Sequence, residues 1–151
     1  MTAIRKIGWM AAVLVGVALI GIGIAFVALG MDAKDRLRTA MVAEDIYTGE
    51  DAAIPNALVA NAATAEAQEA LLTEHTLGRF GPYSGMDRED PNRETYLTAL
   101  TMRNALNLSV MGFGVSDLAI GTGAVVILMG ASTALFMAPA LYTLRRPTAA
   151  A

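Results

Sequence analysis

Residues 118–144 read LAIGTGAVVILMGASTALFMAPALYTL, and this stretch decides the fold. None of its 27 residues is charged, and about 20 apolar helical residues are enough to cross the ~30 Å hydrocarbon core of a bilayer. Arg145 and Arg146 follow directly, as basic residues do at the cytoplasmic face of a membrane helix. We therefore predict a transmembrane helix over residues 117–144.

The same helix is predicted to begin well before the membrane. Asp90 and Pro91 are typical of a helix start, because a carboxylate accepts free N–H groups of the first turn and proline has none to satisfy. No further proline occurs before Pro139, which is expected to disturb the inner end. The pattern predicts one helix, or two nearly collinear helices, that starts in water and ends across a bilayer.

A second apolar run lies near the other end of the chain. Residues 7–31 contain no charge and follow the basic residues Arg5 and Lys6. The apolar core of a secretory signal peptide has only ~7–15 residues, so this longer run indicates a retained membrane helix. We place the tails 1–6 and 145–151 in the cytoplasm, because their basic residues directly flank the two spans.

Residues 32–116 are predicted to form a small extracytoplasmic helical lobe. Between Asp32 and Arg103 the chain has 13 acidic and 7 basic residues, and this negative charge argues against a nucleic-acid partner. The first helix is expected to continue to about Tyr47, and an alanine-rich helix to run from about Ala57 to a cap at Gly78. The expected apolar contacts of the lobe are Leu71, Leu72, Leu97 and Leu100.

Small residues recur along both predicted spans. They allow the backbones of two helices to approach closely, either within the chain or against another protein. The expected helix-packing positions are Gly8, Ala12, Gly16, Gly112, Ser116, Ala119 and Gly123.

Part of the polar region carries a resemblance to other proteins. It rests on Met86-Asp87-Arg88-Glu89-Asp90-Pro91, Arg93, Thr98, Arg103 and Phe113-Gly114-Val115. In these residues the segment His75–Gly123 resembles a group of small two-span membrane proteins from actinobacteria that often carry the label "aromatic ring-opening dioxygenase". The resemblance extends in outline to the whole chain, and it implies a membrane hairpin rather than any activity.

The dioxygenase label does not agree with the residue content. A non-haem Fe(II) oxygenase uses two histidines and a carboxylate on one face of the metal, and this chain has one histidine and no cysteine. No nucleophile–base pair, phosphate loop or metal-ligand spacing is visible. We therefore expect no enzyme activity, no metal and no cofactor.

Three features are possible functional sites, each with a plainer explanation. His75 is either a ligand or pH sensor beside Glu74, or a residue that complements a helix dipole. Asp117 has either a proton, ion or partner-contact role, or is a carboxylate that is solvated at the membrane interface or locally hydrogen-bonded. The third feature is a charged group before the long helix, which is either a docking patch or a helix cap with local ion pairs. Its residues are Arg88, Glu89, Asp90 and Arg93.

The sequence as a whole predicts an all-α protein of the cytoplasmic membrane. Two transmembrane helices form a hairpin, with lipid and other membrane proteins, or further copies of the chain, as partners. The expected role is that of an accessory or scaffolding component of a membrane or envelope complex. The alternatives are an oligomeric transport protein for small solutes or ions that uses Asp117, and an envelope sensor.

Overall fold

A computed structural model of the chain describes residues 2–144, and about 80% of the chain is helical. Helix α1 comprises Thr2–Ala43, α2 Ala62–Thr73, α3 Arg93–Ser132 and α4 Ala138–Thr143. No residue in the described range belongs to a β-strand. The predicted all-helical class with two long apolar helices, α1 and α3, is confirmed.

The chain divides into two compact units. The apolar unit consists of the residues up to Met31 together with those from Asp117 onward, and the polar unit is Asp32–Ser116. The division falls where uncharged runs give way to charged residues along the sequence. The basic tail 145–151 lies outside the described residues.

Two glycine pairs bring α1 and α3 together in the apolar unit. A Cβ atom placed on Gly23 would lie 2.6 Å from the carbonyl oxygen of Gly123. A Cβ atom placed on Gly123 would likewise lie 2.6 Å from the carbonyl oxygen of Gly23. Gly16 and Gly130 approach each other in the same way, at 2.8 and 2.6 Å. The facing residue number falls from 130 to 123 as the α1 number rises from 16 to 23, so the helices run antiparallel. We call these four residues the glycine seam.

Away from the glycine seam, both helices present large apolar side chains outward. Leu14 on α1 is 69% exposed, and Leu118 on α3 is 70% exposed. In the most apolar 18-residue stretch of α1, only 17% is buried. In the corresponding stretch of the helix that begins with α3, only 11% is buried. By length and composition, α1 and α3 with its continuation are two candidate membrane-spanning helices.

The helix that follows α3 changes its geometry just before Pro139. A π-helical turn comprises Thr133–Met137, and α4 starts at Ala138 with Pro139 in its first turn. Proline donates no N–H and its ring collides with the carbonyl group four residues earlier. A π-helical turn relieves this conflict without ending the helix, so the expected disturbance at Pro139 is local.

The polar unit has a small core to which all three of its helical segments contribute. Val59, Ala65 and Leu106 are its most buried members, at 2%, 0% and 5% exposure. The partly buried side chains packed against them are Met41, Ile46, Leu72, Met102 and Val110. A core of this size is typical of a small helical unit.

The loop between α1 and α2 is ordered around one buried hydroxyl group. Thr48 is 2% exposed, and its hydroxyl oxygen accepts a 2.8 Å hydrogen bond from the Ala57 N–H while donating to the Ile54 carbonyl. The neighbouring Gly49 N–H donates to the buried Gln68 side chain on α2, at 2.9 Å. These bonds satisfy backbone groups that a loop in contact with a core would otherwise leave unpaired.

An aromatic cluster holds the loop before α3 against that helix. The Tyr96 ring is 2% exposed, and its hydroxyl group donates to the Gly81 carbonyl at 2.9 Å. The rings of Phe80 and Tyr83 lie 6.4 and 5.7 Å from it. The Arg93 guanidinium lies 4.2 Å from the centre of the Tyr83 ring, which is within cation–π range.

The helix ends differ from the predicted ones for local reasons. Helix α1 ends at Ala43 rather than Tyr47, and Asp45 takes a left-handed backbone with φ 49°. Helix α2 begins after Asn61, because Asn61 and Thr64 form a capping box. The alanine-rich composition predicts an earlier start, at about Ala57. The left-handed glycine that follows the helix is Gly81, with φ 74°, instead of Gly78.

Two further predictions need correction. Leu97 is 42% exposed, so the prediction that it is an apolar contact of the lobe is wrong, whereas Leu71 is buried. Asp90 does not cap α3 directly, because the helix begins at Arg93. Its carboxylate instead accepts the backbone N–H of Asn92 at 2.8 Å, which orders the turn that precedes the helix.

Trp9 and Tyr142 pair at the other end of the apolar unit. Their ring centres lie 5.7 Å apart with an interplanar angle of 80°. Trp9 is the single tryptophan of the chain, and its N–H is buried without a hydrogen-bond partner among the described residues. Its fluorescence therefore reports on the packing of α1 against the helix that carries Tyr142.

We predict that Gly23→Leu destabilises the α1–α3 pair by about 1–3 kcal/mol, because the added side chain collides with backbone atoms at Gly123. The matched control is Gly21→Leu, since a Cβ at Gly21 meets no atom within 4 Å. Unfolding in SDS followed by Trp9 fluorescence measures the difference. Equal stability of the two variants would show that the glycine seam does not hold the helices.

Candidate functional site

Some of the predicted helix-packing residues lie at a helix contact or are buried, and others do not. On α1, Gly16 meets Gly130 and Ala12 is buried, whereas a Cβ at Gly8 would contact nothing. On α3, Gly123 meets Gly23, and a Cβ at Gly112 would lie 2.8 Å from the Leu37 side chain. Ser116 is 4% exposed and donates its hydroxyl to the Gly112 carbonyl, while Ala119 is half-buried.

The predicted packing positions cover only part of the packing surface. The predicted small residues on α1 recur every four residues, at Gly8, Ala12 and Gly16. In the structure the contacts repeat every seven, at Gly16 and Gly23 and again at Gly123 and Gly130. A seven-residue repeat keeps the same face of two long helices together, but the many other small residues of both runs obscure it in the sequence.

His75 and Asp117 lie in different units. His75 is exposed in a π-helical turn that extends α2 over Glu74–Gly78. Asp117 is an exposed residue of α3 and the first residue of the second segment of the apolar unit. No group of three His, Cys, Asp or Glu side chains that could hold a metal ion occurs in the described part of the chain.

The acidic and basic run before α3 serves mainly to order its own loop. Arg88 and Glu89 are exposed, and Asp90 accepts from the N–H of Asn92. The Arg93 guanidinium donates to the Met86 carbonyl at 3.0 Å and covers the Tyr83 ring. Of the four predicted docking residues, the structure therefore leaves Arg88 and Glu89 as the outward-facing pair.

A polar network that the sequence did not indicate joins α2 to α3. The Glu69 carboxylate accepts hydrogen bonds from Thr73 at 2.8 Å, Arg103 at 3.3 Å and Asn107 at 3.4 Å. The Arg103 guanidinium also donates to the Thr76 hydroxyl at 3.4 Å. The side chains of Arg103 and Glu69 are only 12% and 20% exposed, so this ion pair is partly removed from water. It fixes α2 on α3 at one register.

An open apolar cavity of about 220 Å³ lies in the polar unit. Segments of α1 and α3 and the loop that follows α1 line it, with Met41, Val59 and Leu106 among the lining residues. Glu44 and Ser109 are its polar members. The Ser109 hydroxyl donates to the Ala105 carbonyl at 2.9 Å and is therefore already engaged.

The described residues combine apolar packing surfaces with structural polar networks. The polar contacts of Thr48, Glu69 and Tyr96 all end on backbone groups or neighbouring side chains of the polar unit. Such contacts stabilise a fold and position its surfaces.

Comparisons with known proteins give no family for this chain. No family model matches it, and neither a curated protein nor a solved structure is similar to it. The resemblance to two-span actinobacterial proteins therefore stays a prediction from the sequence.

We predict that Glu69→Ala lowers the free energy of local opening of α2 by about 1–3 kcal/mol, because Arg103 then remains half-buried without its carboxylate. The control is Asp32→Ala, which removes an ion pair whose Arg36 and Asp32 side chains are 80% and 56% exposed. Hydrogen exchange of the α2 amides measures both. The control should change the free energy of local opening of α2 by less than ~0.5 kcal/mol. A similar change in both variants would contradict the structural role of Glu69.

Proposed function

We propose that the chain is an integral protein of the cytoplasmic membrane, without catalytic activity, that serves as an accessory component of a membrane or envelope complex. In this proposal α1 and the helix from α3 to α4 form a transmembrane hairpin. The polar unit is extracytoplasmic, and both termini are cytoplasmic. The partners are lipid and other membrane proteins or further copies of the chain.

One observation carries this proposal: the apolar unit buries the four glycines of the glycine seam and exposes leucine, valine and phenylalanine. Gly23 and Gly123 lie at the helix contact, while Leu29 and Phe136 are 68% and 74% exposed. A water-soluble helical protein has the opposite distribution, because burial of large apolar side chains drives its folding. In a bilayer, lipid solvates these side chains and close backbone packing holds the helices together.

The accessory role is supported by the way in which the polar unit uses its polar groups. Buried Thr48 and partly buried Glu69 hold loops and helices in place rather than converging on a cleft. Exposed side chains such as Tyr47, at 56%, and Leu77, at 41%, are available to another protein. These features favour a unit that presents a surface.

We predict that the protein stays in the membrane pellet after alkaline carbonate extraction and that its polar unit faces outward. The natural chain has no cysteine, so single substitutions report topology without background. Glu50→Cys, exposed in the loop after α1, should react with an impermeant maleimide on intact cells. Thr148→Cys, in the basic tail, should react only after permeabilisation.

The opposite labelling pattern would show that the polar unit is cytoplasmic. Labelling of both cysteines on intact cells under conditions that leave a cytoplasmic marker unlabelled would contradict a two-span hairpin. Release of the protein by carbonate would contradict membrane integration altogether.

We predict that the protein, purified from native membranes in mild detergent, carries a different membrane or envelope protein in fixed stoichiometry. Native mass and identification of the co-purifying chains test this expectation. Recovery of a ring of several copies without another protein would favour transport instead. In that case, Asp117→Asn should change conductance in reconstituted membranes.

A further inference from the structure

The outer face of α3 carries a regular stripe that the fold leaves uncovered. Its members follow one another at alternating intervals of four and three residues, the spacing of a helix that packs along a second helix. All of them are exposed. We call them the outer stripe, which lies within the polar unit: Leu97, Thr101, Asn104, Leu108, Met111 and Val115.

The large apolar members of the outer stripe are among the most exposed side chains of the polar unit. Leu108, Met111 and Val115 are 68%, 65% and 65% exposed. They repeat at intervals of three and four residues, so they form one continuous apolar strip along the helix. An exposed apolar strip of this kind marks a contact surface.

Lipid is a poor match for this part of the outer stripe. Within the polar unit, Leu37 of α1 contacts Gly112 of α3, so this segment of α1 lies at the level of Met111. The same segment carries the exposed ion pair of Asp32 and Arg36. Charged side chains are costly in hydrocarbon, so a helix surface fits these leucine, methionine and valine side chains better than acyl chains do.

The flanks of the outer stripe allow a second helix to approach closely. Gly114 lies beside it, and a Cβ at this position would meet no atom within 4 Å. Between Leu97 and Val115 the charged residue is Arg103, and it does not belong to the outer stripe. A partner helix therefore meets small and uncharged residues along this face.

We propose that the outer stripe packs against the outer stripe of a second copy of this chain, forming a parallel two-fold dimer through α3. The proposal rests on the membrane insertion proposed above. Two copies inserted in the same orientation are related by a two-fold axis along the membrane normal, so the same helix of each meets the other in parallel and in register. Each residue of the outer stripe then meets its own counterpart.

Asn104 makes this arrangement self-complementary. Its side chain has a carbonyl acceptor and an amide donor, so two Asn104 side chains across the axis can bond each other. The Thr101 hydroxyl already donates to the Leu97 carbonyl at 2.9 Å, so this property is specific to Asn104 within the outer stripe. A partner in any other register would leave Asn104 against an apolar side chain, and a buried unpaired amide is unfavourable. A single asparagine in an apolar strip therefore selects the in-register dimer.

Disulfide crosslinking in native membranes tests this proposal, because a disulfide forms only when two Cα atoms come within about 7 Å. The full-length variants Leu97→Cys, Met111→Cys and Val115→Cys keep Asn104 and are oxidised separately with copper phenanthroline. In a parallel, in-register dimer all three should give a crosslinked dimer. The control is Thr39→Cys, exposed on α1 in the polar unit, and it should give at least about tenfold less dimer.

The outcomes separate this proposal from membrane insertion itself. An antiparallel contact would crosslink at no more than one of the three positions, which would overturn the in-register dimer. Crosslinking to a different protein, or none at any position in membrane-resident chains, would also overturn it. Recovery of the chain in the soluble fraction would instead contradict the proposed membrane function.

A substitution measured in detergent gives a second readout. Leu108→Asp places two like charges against each other across the axis, and it should reduce the number of copies of this chain in the native complex from two to one. Ala33→Asp adds the same charge at an exposed position of α1 and should leave two copies. Equal copy numbers for the two variants would contradict the contact through α3.

Discussion

Direct contact between the backbones of α1 and α3 is the constraint on which the apolar unit depends. At Gly23 and Gly123 the space that a Cβ would need is already occupied by a carbonyl oxygen of the other helix. Each such approach includes a Cα–H···O contact worth roughly 0.5–1 kcal/mol. It also brings the flanking side chains of Ile20, Val27 and Ile127 into contact with the opposite helix. Without glycine at these positions the two helices would have to separate.

The polar unit depends on different physics. Its centre is small, with Ala65 as the most buried residue, so apolar burial alone leaves a modest margin. Hydrogen bonds to Thr48, Glu69 and Tyr96 hold in place the connecting segments that do not pack against this core. Hydrogen bonds of this kind contribute little while intact and cost more when one partner is lost. The stability of the unit therefore depends on a few polar side chains as well as on its buried leucines.

Features that follow from long-range composition could be predicted from the sequence. The uncharged runs ending at Met31 and Leu144 identified both long helices, and the turn at Asp90 marked the approach to α3. Features that depend on three-dimensional neighbours could not. A capping box at Asn61 makes α2 begin later than its composition predicts, and Glu69 on α2 forms an ion pair with Arg103 on α3. Small residues are frequent in any apolar helix, so composition did not distinguish the seven-residue spacing of the glycine seam from a four-residue one.

The glycine seam also has a consequence for the temperature response of the chain. Apolar burial in water has a large heat capacity, which makes stability fall on cooling as well as on heating. A contact between glycine backbones surrounded by lipid releases almost no water, so its heat-capacity change is small. In a bilayer, the apolar unit should therefore lose stability only on heating, whereas the polar unit has a temperature of maximum stability. Cooling would then destabilise the polar unit without destabilising the apolar unit.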